Sequence, residues 1–158
     1  MAVEFPAGED RLSPGRQRAT VAEVESLLVT GFPTSRTRRP LFDRWVAVRE
    51  AIRRIVSVQS EWLNGSYVTT KENPGDIDMV TILDPAEVEG LDAASQAMLK
   101  GLVAGNASKN LHMCHSFVIV AYPQGHPAHG VYQQNLQYWS ALFGHDREGR
   151  PKGYLEID

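Results

Sequence analysis

Two aspartates, Asp76 and Asp78, stand two positions apart where a polar turn leads into an apolar, strand-like segment. Because successive side chains of a strand point to opposite faces, the two carboxylates would share one face, with Cα atoms about 6.6 Å apart. Buried charge is costly unless it is paired or binds a metal. Carboxylates at this spacing can ligate hard cations such as Mg²⁺, which takes oxygen ligands and is usually held by one or two carboxylates plus substrate phosphates. The pair therefore predicts a site for Mg²⁺ or Mn²⁺ at the start of the strand.

A Gly-Ser pair, Gly65-Ser66, precedes Asp76 by nine intervening residues. Gly65 leaves room for a phosphate to approach the backbone, and Ser66 can add a hydroxyl group. Backbone N–H groups at the start of a following short helix would add affinity for an anion. The Asn-Pro-Gly turn at 73–75 would fold the chain back beside the Gly-Ser pair. Metal and nucleoside triphosphate would then meet at one edge of the sheet, as phosphoryl or nucleotidyl transfer requires.

Helices and strands alternate along the chain, which predicts a small α/β or α+β domain with a mixed sheet flanked by helices. Residues 1–19 lack periodicity and are predicted to form an N-terminal arm, and residues 20–158 a single domain. A capping box, Thr20 with Glu23, begins the first helix. The remaining predictions are helices at 20–28, 40–58, 84–104 and 129–143, strands at 60–64, 77–83, 114–122 and 154–157, and a break at 105–110.

Composition limits the class of protein. The chain has 158 residues, 42% of them hydrophobic and 22% charged, which fits one globular domain. The single cysteine and the absence of a signal-like or transmembrane apolar run predict a cytoplasmic protein without a membrane partner. The net charge of −3 argues against a general nucleic-acid coat protein. Ten arginines fall within residues 11–54, and two interpretations stay open: a solvated helix face, or a surface for an anionic partner such as RNA or DNA.

The Gly-Ser pair, the nine residues and Asp76-Ile77-Asp78 with its following apolar strand resemble the Gly-Ser-x9-Asp-x-Asp signature of the DNA polymerase beta-type nucleotidyltransferase superfamily. Residues 8–28, 35–45 and 138–157 are also similar to segments of a small bacterial group of stand-alone domains of that superfamily. The resemblance implies the nucleotidyltransferase fold, Mg²⁺ ligation by Asp76 and Asp78, and triphosphate contact by Gly65 and Ser66.

The same resemblance implies transfer of a nucleoside monophosphate to a hydroxyl of a protein, an RNA or a small molecule. The short chain leaves little for an acceptor-binding domain, so the acceptor would be a partner protein or would bind at a homodimer cleft. Minimal members of the superfamily suggest a role in a toxin–antitoxin or phage-defence pair. This last step is analogy rather than site chemistry.

One position departs from the resemblance. Catalytic members of the superfamily use a third carboxylate on a later strand, and the matching positions here are His115 or Ser116. His115 could ligate a metal or act as a base, because its ordinary pKa is near neutral. Imidazole is a poor substitute on Mg²⁺, which prefers oxygen. Two hypotheses follow: a site that works with two carboxylates plus His115, or a protein that binds nucleotide or a partner without turnover. Nothing in the spacing favours Glu61 or Asp84 as the missing acid.

Other residues admit both a functional and a structural interpretation. Lys152, with Arg147 and Arg150 in a glycine-rich turn, could hold a phosphate or an RNA backbone, or simply be solvated. A zinc site would draw on the histidine pairs, but its thiolates are too few. Cys114 is predicted to be a small core residue. The tryptophans stand singly at apolar positions and are predicted to lie in the core rather than to stack on bases; they are Trp45, Trp62 and Trp139.

Overall fold

The computed structural model describes residues 2–158 and contains a five-stranded mixed sheet with six α-helices. The strands are β1 (Gly15–Ala19), β2 (Val58–Asn64), β3 (Ile77–Leu83), β4 (Cys114–Val120) and β5 (Gly153–Ile157). The helices are α1 (Val21–Glu25), α2 (Arg38–Ile55), α3 (Pro85–Glu89), α4 (Ala93–Leu102), α5 (Asn106–His112) and α6 (His129–Phe143). A π-helical turn, Ser26–Thr30, continues α1, and a 3₁₀ turn, Ser66–Val68, follows β2. The α+β class is therefore confirmed.

The sheet has the spatial order β1-β5-β2-β3-β4. Strand β2 runs antiparallel to both of its neighbours, β5 and β3. The outer pairs, β1 with β5 and β3 with β4, are parallel. The short connection between β2 and β3 contains the Gly-Ser pair and the Asn-Pro-Gly turn, so both lie at the same edge of the sheet as the start of β4.

Side-chain alternation along β3 divides the core into two clusters. Ile77, Met79 and Leu83 pack in a large cluster that includes buried residues of α1 and α2. Val80 and Ile82 pack in a smaller cluster with Phe143 of α6. Because every second side chain shares a face, Asp78 lies on the side of Val80 and Ile82. The pleat thus directs Asp78 towards the α6 side of the sheet.

Several predicted elements are confirmed. The helix at 129–143 has the predicted bounds, and the predicted strands at 60–64, 77–83 and 114–122 correspond to β2, β3 and β4. The capping box is present: the Glu23 backbone N–H donates to Thr20 Oγ1 at 3.2 Å, and the Thr20 backbone N–H donates to the Glu23 carboxylate at 2.7 Å. The predicted long helix at 84–104 is interrupted after Gly90, and Asp92 caps the second part.

Two predictions of secondary structure were wrong. Residues 15–19 were placed in a structureless arm, but they form β1, which pairs along its whole length with β5. Its sequence, GRQRA, is mostly exposed, so it carries no apolar alternation. The predicted break at 105–110 belongs largely to α5. This helix is anchored by contacts to β4 rather than by an apolar stripe: the Gly105 N–H donates to the Ser116 carbonyl, and the Ser116 N–H donates to Ser108 Oγ.

Arg38, in the first turn of α2, is fully buried and holds the loop that follows β2. Its guanidinium group lies 3.9 Å from the ring centroid of Phe32. Burial lowers the pKa of Arg38, with Tyr67 and Glu72 opposing that shift. Its N–H groups donate to four backbone carbonyls at 2.6–3.2 Å, those of Leu28, Tyr67, Thr69 and Lys71. The guanidinium group of Arg38 therefore fixes the loop between the Gly-Ser pair and Asp76.

Other arginines of 36–54 also make contacts within the chain. Arg39 pairs with Glu25 at 2.8 Å, and Arg54 pairs with Glu50 at 3.8 Å on the helix surface. Arg49 pairs with the buried carboxylate of Glu61 at 3.0 Å. Arg38 and Arg49 therefore have a role in folding, whereas the pairs of Arg39 and Arg54 lie on the surface and contribute little to stability.

We expect Arg38→Met to lower the free energy of unfolding by roughly 3 kcal/mol or more, because several carbonyls lose their donor at once. Urea denaturation followed by circular dichroism measures this loss. Arg44→Met is the matched control, since Arg44 is an exposed arginine of the same helix, and it should change stability by less than about 0.5 kcal/mol. Equal stability of the two variants would contradict the role assigned to Arg38.

Candidate functional site

A cavity of about 1080 Å³ opens where β2 ends and β3 and β4 begin. Every sequence-predicted site residue lines it: Gly65, Ser66, Asp76, Asp78, His115 and Lys152. Its other charged residues are Asp10, Arg11, Lys71, Lys109, Asp146, Arg147, Glu148 and Arg150. Its apolar wall contains Phe117, Tyr138, Trp139, Leu142 and Phe143. The cavity therefore combines an acidic centre, basic side chains and an aromatic wall.

The two aspartates lie at the start of β3. Asp76 directly precedes the strand, and Asp78 is its second residue. Lys109 Nζ of α5 lies 3.2 Å from Asp76 Oδ2. Asp78 is paired in register with Asn64 on β2 and with His115 on β4. Asp78 therefore lies between Asn64 and His115, and Asp76 forms an ion pair with a lysine of α5.

His115 is the β4 residue that faces the carboxylates. Its Nδ1 atom lies 3.2 Å from Asp78 Oδ1, and its ring packs against Phe117 with centroids 4.5 Å apart. Ser116 is fully buried and points to the opposite face of the sheet. Of the two positions that the sequence left open for a third acid, the structure brings only His115 to the aspartates.

Gly65 is required by the packing of Asp78. Its backbone has φ +82° and ψ −166°, a region that is essentially restricted to glycine. A Cβ atom at this position would lie 2.5 Å from Asp78 Oδ2. Ser66 follows at the start of the 3₁₀ turn, where its carbonyl accepts a hydrogen bond from Thr69 Oγ1 at 2.7 Å. The glycine thus allows the carboxylate of Asp78 to rest directly against the end of β2.

Burial and mutual repulsion act on the charges of the cavity. Desolvation raises the pKa of Asp78, the nearby charge of Asp76 adds to the increase, and His115 opposes it. Desolvation lowers the pKa of Lys152, with Asp78 opposing that shift. Asp146 binds Arg11 and Arg150 at the rim. An added cation beside Asp78 would therefore relieve a charge that the fold itself leaves poorly compensated.

Asn64 is a candidate site residue that the sequence did not single out. It lines the cavity and is only 5% exposed, and its Oδ1 atom has no hydrogen-bond partner within residues 2–158. A buried polar atom without a partner is costly and calls for an explanation. The sequence does contain one indication of a site role for Asn64. It immediately precedes Gly65, and it lies two residues after Trp62, on the same face of β2.

Lys109 and the residues of the aromatic wall were also missed as site residues. Lys109 lies in the segment that was predicted to be a break, so no element placed it near Asp76. Trp139 was predicted to lie in the core. It does pack against Phe117 and Phe143, with ring centroids 4.5 Å and 5.7 Å away, but it also faces the cavity.

The structure does not bring the other candidate acids, Glu61 and Asp84, to the two aspartates. Glu61 is buried on the α2 side, where Trp45 Nε1 donates to it at 2.7 Å, so it cannot replace the third acid. Asp84 caps α3 by accepting from the Ala86 N–H at 2.8 Å. Across residues 2–158 no group of three or more His, Cys, Asp or Glu side chains is arranged to hold a metal ion. Cys114 is a buried core residue, as predicted, and burial, with Glu61, raises the pKa of its thiol to about 12.

The fold and the cavity define an α+β domain with two aspartates, a histidine and several lysine and arginine side chains at one edge of its sheet. A family model described as "Family of unknown function (DUF6932)" matches residues 4–158, and the chain belongs to that family. No curated protein and no solved structure matches the chain significantly. None of the helices within residues 2–158 has both the length and the apolar character needed to cross a bilayer.

We expect Gly65→Ala to destabilise the protein by about 1–3 kcal/mol, because alanine is strained in this backbone region and its Cβ displaces Asp78. Thermal or urea denaturation gives the change in the free energy of unfolding. Gly75→Ala is the control: Gly75 lines the same cavity, but an added Cβ there meets open space. Its stability should stay within about 0.5 kcal/mol of the wild type. A larger loss for Gly75→Ala than for Gly65→Ala would overturn the assignment.

Proposed function

We propose that this protein is a nucleotidyltransferase-fold domain that binds a nucleoside triphosphate together with Mg²⁺ or Mn²⁺. The observation that carries the proposal is that Asp78 packs against Gly65, and that Asp76 and Ser66 line the same cavity together with lysine and arginine side chains. The antiparallel β2–β3 pair, with β4 parallel beside it, supports this reading of the fold.

The residues present suit a hard cation. Asp76 and Asp78 would hold it, and the amide oxygen of Asn64 offers a neutral oxygen donor that has no hydrogen-bond partner among residues 2–158. The desolvated carboxylate of Asp78 gains stabilisation from a positive charge. When bound, such an ion neutralises charge on the triphosphate and on the oxygens of the reacting phosphoryl group.

The basic side chains are placed to bind the phosphates. Lys152 faces the acidic centre, and an anionic ligand would stabilise its partly buried ammonium group. Lys71 follows the Gly-Ser pair on the loop that Arg38 holds. Gly65 and Ser66 would present backbone N–H groups and a hydroxyl to the β- and γ-phosphates. Lys109 keeps Asp76 in one orientation through their ion pair.

For transfer, an acceptor hydroxyl would attack the α-phosphorus and pyrophosphate would leave. His115, held on Asp78 through Nδ1, would take the hydroxyl proton on its other ring nitrogen. The acceptor would be a hydroxyl of a protein, an RNA or a small molecule, reached on a partner protein or at a homodimer cleft. A place in a toxin–antitoxin or phage-defence pair fits such a small domain by analogy only.

A second function is favoured by one observation: the position facing the two aspartates is a histidine, not an acid. A protein with this substitution could bind nucleotide, or a partner, without turnover. The two functions share the nucleotide site and differ only in chemistry, so binding and transfer must be measured separately.

We expect Asp76→Ala and Asp78→Ala to weaken Mn²⁺-dependent ATP binding by at least the roughly 10–100-fold that is typical for loss of a group supporting a metal site. Isothermal titration calorimetry with ATP in the presence and absence of Mn²⁺ measures the effect. Asp43→Ala is the control, because Asp43 is an exposed acid on α2. Wild-type affinity for ATP with Mn²⁺ in both site variants would contradict the proposal.

We expect His115→Ala to lower transfer of a labelled nucleotide by roughly 100-fold or more if His115 is the base, with binding little changed. Label incorporation into candidate acceptors and release of pyrophosphate report transfer. His112→Ala is the control, since His112 ends α5 outside the lining of the cavity. If the wild type binds nucleotide but transfers nothing, and His115→Asp gains transfer, the non-catalytic function is correct. Unchanged transfer in His115→Ala removes the role of base.

A further inference from the structure

A continuous series of aromatic rings leads from the acidic centre to the protein surface. His115, which contacts Asp78, packs against Phe117 with ring centroids 4.5 Å apart. Phe117 packs against Trp139 at 4.5 Å, and Trp139 packs edge-on against Tyr138 at 5.3 Å. Three ring-to-ring steps therefore connect His115, which contacts Asp78, with Tyr138.

The outer end of this series is open to solvent. Tyr138 is 60% exposed and Leu142, one helical turn further along α6, is 50% exposed, yet both line the cavity that contains the aspartates. Exposed large apolar side chains that border a ligand cavity mark a contact surface more often than isolated ones do. The phenol ring is in edge-on contact with Trp139, which itself packs against the smaller core cluster.

The cavity combines the two kinds of side chain that a nucleotide requires. Asp76, Asp78 and several lysine and arginine side chains suit a metal-bound phosphate chain. Phe117, Tyr138 and Trp139 line the same cavity in ring-to-ring contact and suit a flat, weakly polar group. Bases stack on exposed aromatic side chains with a free energy of about 1–3 kcal/mol each.

We propose that Tyr138, supported by Trp139, is the stacking surface for the base of the bound nucleoside triphosphate. The inference rests on the proposed function, because it assumes that the phosphates lie at Asp76, Asp78 and Lys152. Stacking on a single exposed ring discriminates weakly among bases, since every base has a π face. The site should therefore accept all four common nucleotides, with purines bound more tightly because of their larger rings.

The competing occupant of the aromatic wall is the acceptor. A tyrosine side chain of a partner protein could stack on Tyr138 and present its hydroxyl towards the aspartates. The position of the rings within the same cavity as the phosphate-binding residues favours the nucleotide, because base and phosphates then belong to one ligand.

The test compares ATP with inorganic tripolyphosphate, which carries the phosphates without a base. With Mn²⁺ present, we expect Tyr138→Ala to weaken ATP binding roughly 5–150-fold, the stacking free energy expressed as an affinity ratio. Tyr138→Phe, which keeps the ring, should bind ATP like the wild type. Tripolyphosphate should bind equally to all three proteins in isothermal titration calorimetry.

Val131→Ala is the matched surface control. Val131 lies two helical turns before Tyr138 on the same exposed face of α6, is 52% exposed, and is outside the lining of the cavity. It should leave ATP binding unchanged. Circular dichroism melting curves of each variant ensure that the fold is retained.

Each outcome decides between named explanations. If Tyr138→Ala binds ATP like the wild type, the base subsite is overturned, whereas the phosphate site still stands. If ATP binding is unchanged but transfer to a protein acceptor falls, the wall binds the acceptor instead. If tripolyphosphate loses as much affinity as ATP, Tyr138 acts through the structure of the site and the inference is wrong. If neither ligand binds the wild type, the proposed function fails and this inference fails with it.

Discussion

The pairing register of β3 between β2 and β4 decides which side chains meet in the cavity. It sets Asp78 beside Asn64 on one neighbour and His115 on the other. Because side chains alternate along a strand, a slip of one residue would turn Asp78 into the large apolar cluster and Ile77 out of it. The apolar residues of β3 therefore fix the position of a polar one. The burial that stabilises the sheet is the same burial that directs the carboxylates to the α6 side.

A second constraint acts on the loop rather than on the strand. Residues 65–76 have little regular structure, but their carbonyls converge on the guanidinium group of Arg38. A buried arginine whose partners are neutral carbonyls is a costly device. It nevertheless gives the loop the rigidity of a regular element, which the phosphate contacts proposed for Gly65 and Ser66 would need. The loop, the end of β2 and the start of β3 then form one unit.

The sequence predicts those parts of the fold that have strong local patterns. The strand 77–83 and the helix 129–143 follow from apolar residues with the right period, and the Gly-Ser and Asp-x-Asp pattern led to residues that share one cavity. The sequence could not reveal β1, because a short exposed edge strand that is stabilised by backbone pairing with β5 has no apolar alternation. The sequence could not place Lys109 either, since α5 depends on contacts with β4, which is distant along the chain. The position of Asn64 before Gly65 was a weak signal in the sequence; its burial and its amide oxygen, which has no partner within residues 2–158, are what distinguish it.

The histidine opposite Asp78 changes the charge balance of the site, not only its ligand set. A third acid would add a negative charge to a place where desolvation and Asp76 already raise the pKa of Asp78. An imidazole avoids this repulsion, and its Nδ1–H can donate to one oxygen of the same carboxylate. Asp78 Oδ1 is thereby engaged by His115, while Oδ2 lies against Gly65, where no side chain competes. His115 and Gly65 thus contact the two oxygens of the same carboxylate, one from β4 and the other from the end of β2, and together they fix its orientation in the cavity.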